Sequence, residues 1–175
     1  MSGKRPRNSR PTMRTTYALA LGSNQRHGRY GPPERVIAKA LTKIDGKHMR
    51  LLAHSATIRS RPVGPSQRTF ANAAAIVETR LDPPGLLARL ERIERKLGRR
   101  KRGRRWQARV IDLDIILWSG GIWSAAGLTV PHIAFRARRF VLAPLSTLVP
   151  RWRDPLTGLT VRHLKARLDR KRPAA

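Results

Sequence analysis

The chain is at its most strand-like in VIDLDIILW, residues 110–118, where apolar and acidic residues alternate. Alternate side chains of a strand share one face, so the apolar residues at odd positions from 111 to 117 are expected to face a core. Asp112 and Asp114 then lie together on the other face, roughly 7 Å apart along the backbone. Two carboxylates at that spacing repel each other and resist burial, which predicts a cation between them, and Mg²⁺ is suited to that role. The alternative is that both aspartates face solvent or pair with arginines.

A strongly basic segment lies directly upstream of this strand. Residues 99–109 contain seven basic side chains, together with Gly103 and Trp106: Arg99, Arg100, Lys101, Arg102, Arg104, Arg105 and Arg109. Such a segment cannot bury itself, and the guanidinium fork matches phosphate oxygens in bidentate geometry. Beside a pair of metal-binding carboxylates, it is interpreted as the lid of a phosphoryl-transfer site. The alternative is a solvated basic loop or a nucleic-acid contact.

Two further segments carry candidate binding residues. His132 is followed by arginines at 136, 138 and 139, a set that could hold an ATP phosphate. Phe70 and Asn72 share one face of a predicted strand, where a ring and an amide could stack on and hydrogen-bond a flat heterocycle. The alternatives are a structural histidine and a core phenylalanine.

The order of predicted elements gives the fold class. Strands are predicted over residues 16–21, 51–58, 70–79 and 110–118, and helices over 34–44 and 83–97, with Gly98 as a helix stop. Strands 51–58 and 70–79 are expected to pair as a hairpin. The pattern is βαββαβ, an α+β ferredoxin-like sandwich with helices on one face of an antiparallel sheet. Further helices over residues 140–148 and 160–168 are C-terminal additions. Residues 1–15 are expected to be a disordered basic extension, 16–165 one domain and 166–175 a basic tail.

Composition limits the function class without deciding it. At 175 residues the chain is long enough for one domain, and the absence of cysteine excludes disulfides, thiolate metal sites and cysteine nucleophiles. The formal charge of +28 attracts polyanions, and by itself it favours a nucleic-acid-binding protein. No apolar window is long enough to span a bilayer and the N-terminus lacks the apolar part of a secretory signal, so a cytoplasmic location without membrane contact is predicted.

Several motifs, in order, resemble those of the 6-hydroxymethyl-7,8-dihydropterin pyrophosphokinase family over residues 16–157. They are Ala20–Asn24 as the opening strand and turn, Arg61–Asn72 as the pterin loop and strand, Gly98–Arg109 as the catalytic lid, the Asp112 and Asp114 pair, and Leu128–His132 with Arg138–Leu142 as the nucleotide segment. The order and spacing of these motifs are more specific than any one of them.

The resemblance implies an enzyme of folate biosynthesis that transfers pyrophosphate from ATP to the hydroxymethyl group of the pterin and releases AMP. The residues that it implies fall into three groups. The catalytic group is Arg99, Arg109, Asp112 and Asp114, and the two aspartates are also the ligands of two Mg²⁺ ions. The group that binds ATP is Glu94, Arg99, Lys101, Arg102, Trp106, His132 and Arg138. The group that binds the pterin is Ser60, Val63, Phe70, Asn72 and Phe140. A monomer with incidental nucleic-acid affinity is expected.

The chain departs from the family pattern at three places. Lys101 stands where arginine is typical and cannot reproduce a bidentate fork. Gln107 and Ala108 replace a usual Gly-Pro, and Phe70 replaces a frequent tyrosine. The rival interpretation is a small basic RNA- or ribosome-binding module without catalysis, but aromatic residues make up only 5% of the chain, which is low for a protein that reads RNA on a sheet face.

Overall fold

The computed structural model describes residues 13–61, 69–99 and 109–170. The strands are β1 Thr15–Ser23, β2 Met49–His54, β3 Ile58–Ser60, β4 Phe70–Thr79, β5 Asp112–Trp118, β6 Trp123–Ala125 and β7 Leu128–Val130. The helices are α1 Pro33–Ile44, α2 Pro83–Lys96, α3 Arg139–Leu148 and α4 Val161–Arg170, and a 3-10 turn covers Phe135–Ala137.

The main sheet is antiparallel and has the strand order β2-β4-β1-β5, with β3 pairing with β4 beyond the end of β2. With β1, α1, β2, β4, α2 and β5 taken in chain order, this is the predicted ferredoxin-like βαββαβ arrangement, and the predicted hairpin of the second and third strands is confirmed. Strands β6 and β7 form a separate two-stranded ribbon.

One face of the sheet packs against α1 and α2. Tyr17, Leu19 and Leu21 alternate along β1 and are almost completely buried in this layer. They meet apolar residues at helical spacing on α1: Val36, Ile37, Ala40, Leu41 and Ile44. Removing such surface from water contributes roughly 25 cal/mol per Å², so burial in this layer stabilises the fold.

Helix α2 begins and ends where its sequence signals predict. The side chain of Asp82 accepts a hydrogen bond from the Gly85 backbone N–H at 2.9 Å, which satisfies one of the free donors of the first turn. Gly98 follows the helix with a φ of 86°, a left-handed conformation that glycine adopts without a steric penalty. The chain therefore leaves α2 at the point where the predicted lid begins.

The opposite face of the sheet is covered by α3 and α4, the predicted C-terminal additions. Their buried residues Val141, Leu142, Leu145 and Leu164 pack in the same cluster as alanines and isoleucines of β1, β4 and β5. At the end of the sheet where Gly22 lies, the cluster reaches Ala20, Phe140 and Val141, which also line the candidate site.

Two details of the strands differ from the sequence prediction. The predicted strand 51–58 is two strands, because the chain breaks at Ser55, whose hydroxyl accepts a hydrogen bond from the Ala74 N–H at 3.0 Å. In β5, a register shift opposite Ala18 and Leu19 inserts one extra residue. The prediction that Leu117 shares a face with Leu113 is therefore wrong, and Leu117 packs in the cluster beneath α3 and α4.

Both ends of the described chain belong to the folded part of the protein. Arg14 pairs with Glu78 at 2.8 Å and β1 begins at Thr15, while residues 1–12 lie outside the described residues. Helix α4 continues past residue 165 to Arg170. The proposed limits of the domain and its two basic extensions stay predictions. No helix in the described parts of the chain is both long enough and apolar enough to cross a membrane.

Candidate active site

The register of the three central strands builds the floor of a cleft. Asn72 of β4, Gly22 of β1 and Asp112 of β5 lie opposite one another in one row across the sheet. Two residues along the strands, in the next row on the same face, Ala20 pairs with Asp114. Because glycine and alanine stand between the amide and the carboxylates, space stays open above β1, and all five residues line the cleft.

Asp112 and Asp114 share one face of β5 and both line the cleft, as the alternation predicts. Burial, followed by the nearby charge of Asp112, raises the pKa of Asp114, and His132, Arg138 and Arg109 offset part of this effect. Within the described residues, Asp114 forms no ion pair. Asp114 is therefore the member of the pair without a direct cationic partner, whereas Asp112 forms ion pairs with Arg99 and Arg109.

Asp112 is held by two arginines of the predicted lid. Arg99 Nη1 lies 2.8 Å from one carboxylate oxygen, and Arg109 Nη1 donates to the other. Glu94 lies behind them with 4% exposure, where its Oε1 accepts hydrogen bonds from Arg99 and, at 2.7 Å, from the Leu113 backbone N–H. Burial raises the pKa of Glu94 to about 7, against the opposing effect of Arg99. The structure thus places Glu94 beneath Arg99 and not on the cleft wall.

His132 and Arg138 approach the acidic pair from the segment that precedes α3. The His132 backbone N–H donates to the Ile116 carbonyl at 3.1 Å, which fixes the residue against β5. Its Nδ1 accepts from the Ala134 N–H at 3.2 Å, so the neutral ring carries its hydrogen on Nε2. Burial lowers the pKa of His132, although Asp114 acts in the opposite direction. Arg138 lines the cleft and its guanidinium lies 5.8 Å from the centre of the Phe140 ring.

The predicted pterin residues meet at the other side of the cleft. Phe70, Asn72, Ser60 and Phe140 all line it. Asn72 is 3% exposed, and its Nδ2 donates to the Ser60 hydroxyl at 2.8 Å. This hydrogen bond fixes the rotation of the amide and leaves Oδ1 over Gly22.

Some predicted residues are not tested by this geometry, and some cleft residues were not predicted. Val63, Lys101, Arg102 and Trp106 lie outside the described residues. Of the other arginines near His132, Arg136 pairs with Asp154 and Arg139 with Asp169. Arg61 and Gly22 line the cleft without having been predicted as site residues. Gly22 could have been found from the register, since it stands opposite both Asn72 and Asp112.

The donor set suits a magnesium ion shared with a phosphate ligand. In residues 13–61, 69–99 and 109–170, no group of three or more His, Cys, Asp or Glu side chains could hold a metal ion by itself. Mg²⁺ commonly takes one or two carboxylates and completes its shell with water and phosphate oxygens. The two cleft aspartates fit that pattern, and water or phosphate oxygens would have to complete the coordination shell.

Comparisons with known proteins agree on one family. A sequence model described as 7,8-dihydro-6-hydroxymethylpterin-pyrophosphokinase matches residues 18–150. A Haemophilus influenzae protein named 2-amino-4-hydroxy-6-hydroxymethyldihydropteridine pyrophosphokinase is 41% identical over 136 residues, covering 76% of this chain and 80% of that protein. A protein of the same name from Methylorubrum extorquens is 39% identical over 153 residues, covering 86% of this chain and 92% of the other.

Solved structures confirm the fold. The crystal structure of wild-type Plasmodium falciparum HPPK-DHPS with SDX-DHP aligns with a TM-score of 0.69 over 89% of this chain, at 14% sequence identity. The alignment covers 44% of that chain, so this chain spans less than half of its length. At this identity the likeness concerns the fold alone.

Proposed function

The chain belongs to the 7,8-dihydro-6-hydroxymethylpterin-pyrophosphokinase family, and we propose that its cleft holds the pterin and the ATP phosphates side by side on the floor of the sheet. The enzyme transfers pyrophosphate from ATP to the hydroxymethyl group of 6-hydroxymethyl-7,8-dihydropterin in folate biosynthesis. The hydroxymethyl oxygen forms a bond to the β-phosphorus and its proton is released to solvent, while the bond from that phosphorus to the α-phosphate oxygen breaks and AMP leaves. One observation carries the assignment of the cleft: Asn72 and Asp112 flank Gly22 in a single row.

The pterin is assigned to the side of Asn72. Phe70 and Phe140 would stack on its ring, and the buried Asn72 amide would hydrogen-bond its edge, with Ser60 holding that amide in place. An amide fixed before the ligand arrives loses little conformational freedom on binding, which favours affinity and orientation.

The triphosphate is assigned to the side of the acidic pair and the basic residues. Arg99, Arg109, Arg138 and His132 would bind phosphate oxygens, and Glu94 would orient Arg99 from below. Asp112 and Asp114 would hold magnesium, which, when bound, neutralises phosphate charge. Arg99 and Arg109 have exposed fractions of 32% and 45%, so both can exchange Asp112 for phosphate oxygens. Positioning and charge neutralisation then supply most of the rate.

Several parts of this assignment stay predictions. They are the number of magnesium ions, given as two by the family resemblance, the roles of Val63, Lys101, Arg102 and Trp106, a monomeric state, a cytoplasmic location and incidental nucleic-acid affinity. The noncatalytic RNA-binding alternative is not favoured, because the family is that of a pyrophosphokinase.

The assignment of the acidic pair is tested with Asp112→Asn. We expect this change to lower AMP formation from ATP and hydroxymethyl-dihydropterin by at least 10³-fold, because an amide is a poor magnesium ligand. Asp169→Asn, on α4 and away from the cleft, is the matched control and should retain wild-type turnover. Calorimetry with an unhydrolysable ATP analogue, with and without magnesium, should show that only the Asp112 change removes the effect of magnesium on binding. Wild-type turnover in Asp112→Asn would contradict the assignment.

A further inference from the structure

Asn24 makes two hydrogen bonds to one residue at the far end of the predicted lid. Its backbone N–H donates to the Arg109 carbonyl at 3.1 Å, and its side-chain Oδ1 accepts from the Arg109 N–H at 2.7 Å. The two residues are 85 positions apart in sequence. Asn24 is 5% exposed, so these bonds are shielded from water.

The position of this contact connects it with the cleft. Asn24 comes two residues after Gly22, which forms the floor, and directly after the last residue of β1. Arg109 lines the cleft, and its guanidinium donates to Asp112. The strand that forms the floor therefore also fixes the backbone from which the Arg109 side chain extends.

The residue type suits this task. An acceptor is needed for the Arg109 N–H, and the asparagine side chain supplies one while adding no charge beside the guanidinium. The orientation of the amide follows from the same bond, because Oδ1 must face the N–H donor. Nδ2 is then left buried, without a hydrogen-bond partner among the described residues. Helix and strand formation do not require this arrangement, since Asn24 lies outside both β1 and α1.

We infer that Asn24 is a positioning residue for the transfer reaction and acts by fixing the Arg109 backbone so that its guanidinium meets the reacting phosphates. This inference rests on the proposed role of Arg109. If Asn24 only stabilised the fold, its effect on turnover would be the same with or without the Arg109 side chain. For a positioning residue, that effect should depend on the Arg109 side chain.

A double-mutant cycle tests this dependence. With full-length enzyme, ATP, magnesium and hydroxymethyl-dihydropterin, Asn24→Ala is expected to lower kcat at least tenfold when Arg109 is present and less than twofold in Arg109→Ala. Thr79→Val is the matched control: Thr79 is 3% exposed, its hydroxyl donates to the His48 carbonyl at 2.6 Å, and it lies at the opposite end of β4 from the cleft. It should lower the melting temperature as much as Asn24→Ala does, with kcat unchanged.

The possible results distinguish the role of Asn24 from the proposed role of Arg109 on which it rests. Equal losses of kcat in both backgrounds, or a loss of melting temperature alone, would overturn the role of Asn24 and leave that of Arg109 standing. An unchanged kcat in Arg109→Ala would overturn the proposed role of Arg109, and the role of Asn24 with it. Asn24→Asp keeps the acceptor oxygen but adds a charge beside the Arg109 guanidinium, so its kcat should lie between the wild-type and alanine values; turnover as slow as that of the alanine variant would also count against the inference. If Asn24→Ala does not fold, Asn24→Ser takes its place in the cycle, with the same expectations.

Discussion

Gly22 shows how one missing side chain creates a binding surface. It lies between Asn72 and Asp112, and a Cβ built on it would stand 3.6 Å from the Asn72 Oδ1, an ordinary contact distance. Its backbone is extended, so alanine fits the strand, and replacing a strand glycine removes an entropic cost of roughly 0.5–1 kcal/mol. The fold therefore tolerates alanine at this position better than the cleft does.

Gly22→Ala is expected to raise the KM for the pterin about tenfold, which corresponds to about 1.4 kcal/mol of binding free energy. The KM for ATP should change less than threefold, because the added methyl group lies beside Asn72. Steady-state kinetics with each substrate varied, together with thermal unfolding, checks both effects. An unchanged KM for the pterin in a folded variant would show that the ring does not lie over this part of the floor.

At the level of elements, the alternation of apolar and acidic residues predicted the side-chain directions in one part of β5 and failed in another. The alternation of residues 111–115 correctly placed Asp112 and Asp114 on one face and Leu113 and Ile115 on the other. The same rule failed at Leu117, because the bulge opposite β1 shifts the register by one residue. A bulge depends on the partner strand, and a single apolar run does not encode it.

The segment that carries Arg138 into the cleft is anchored by a buried ion pair. Arg136 donates to both oxygens of Asp154, at 2.7 and 2.6 Å, and the Asp154 side chain is fully buried. Burial alone would raise the pKa of Asp154, but the hydrogen bonds from Arg136, Thr157 and the Leu156 N–H lower it below its ordinary value of 3.8. The pair therefore stabilises the fold above about pH 4, and this contribution is lost as pH falls through the lowered pKa.

Arg136→Met is expected to lower the free energy of unfolding by about 3 kcal/mol at pH 7, because it leaves a buried carboxylate without its partner. The difference from wild type should shrink as pH falls below 3.8, where the unfolded carboxylate takes up a proton. Urea denaturation at pH 7 and pH 3 measures it. Arg139→Met, which removes a half-exposed pair with Asp169, should cost less than 1 kcal/mol at either pH. A difference for Arg136→Met that is independent of pH would contradict this account of Asp154.

At the scale of the whole molecule, the net charge of +28 has a consequence for the two substrates. A strongly positive protein attracts ATP at long range, and added salt screens that attraction, with a Debye length of about 8 Å at 0.15 M. The pterin is uncharged, so the same field acts on it weakly.

Raising KCl from 0.05 to 0.5 M is therefore expected to increase the KM for ATP at least fivefold and the KM for the pterin less than twofold. Initial rates with magnesium held in constant excess measure both constants. Equal increases in the two constants would show that salt acts on the fold or on the lid, and that the charge does not assist nucleotide binding.

The element order, the sheet and the acidic pair followed from local patterns, because strand alternation and helical spacing are properties of short segments. The family motifs added the pterin residues, and Phe70, Asn72 and Phe140 do line one cleft. Gly22 and Asn24 were named as part of the opening strand and turn but not as site residues, since their importance comes from pairing with Arg109, Asn72 and Asp112, which are 50 or more positions away from their partners. Long-range register is set by the folded sheet as a whole.

The row formed by Asn72, Gly22 and Asp112 sets a fixed distance across the cleft. Adjacent strands are spaced about 4.8 Å apart, so two intervals separate the amide from the carboxylate by about 10 Å at the backbone. Main-chain hydrogen bonds fix that interval, and no loop contributes to it. With the substrates bound as proposed, changes in the surrounding loops would alter how fast and how tightly they bind, while the meeting point of their reacting atoms would be kept.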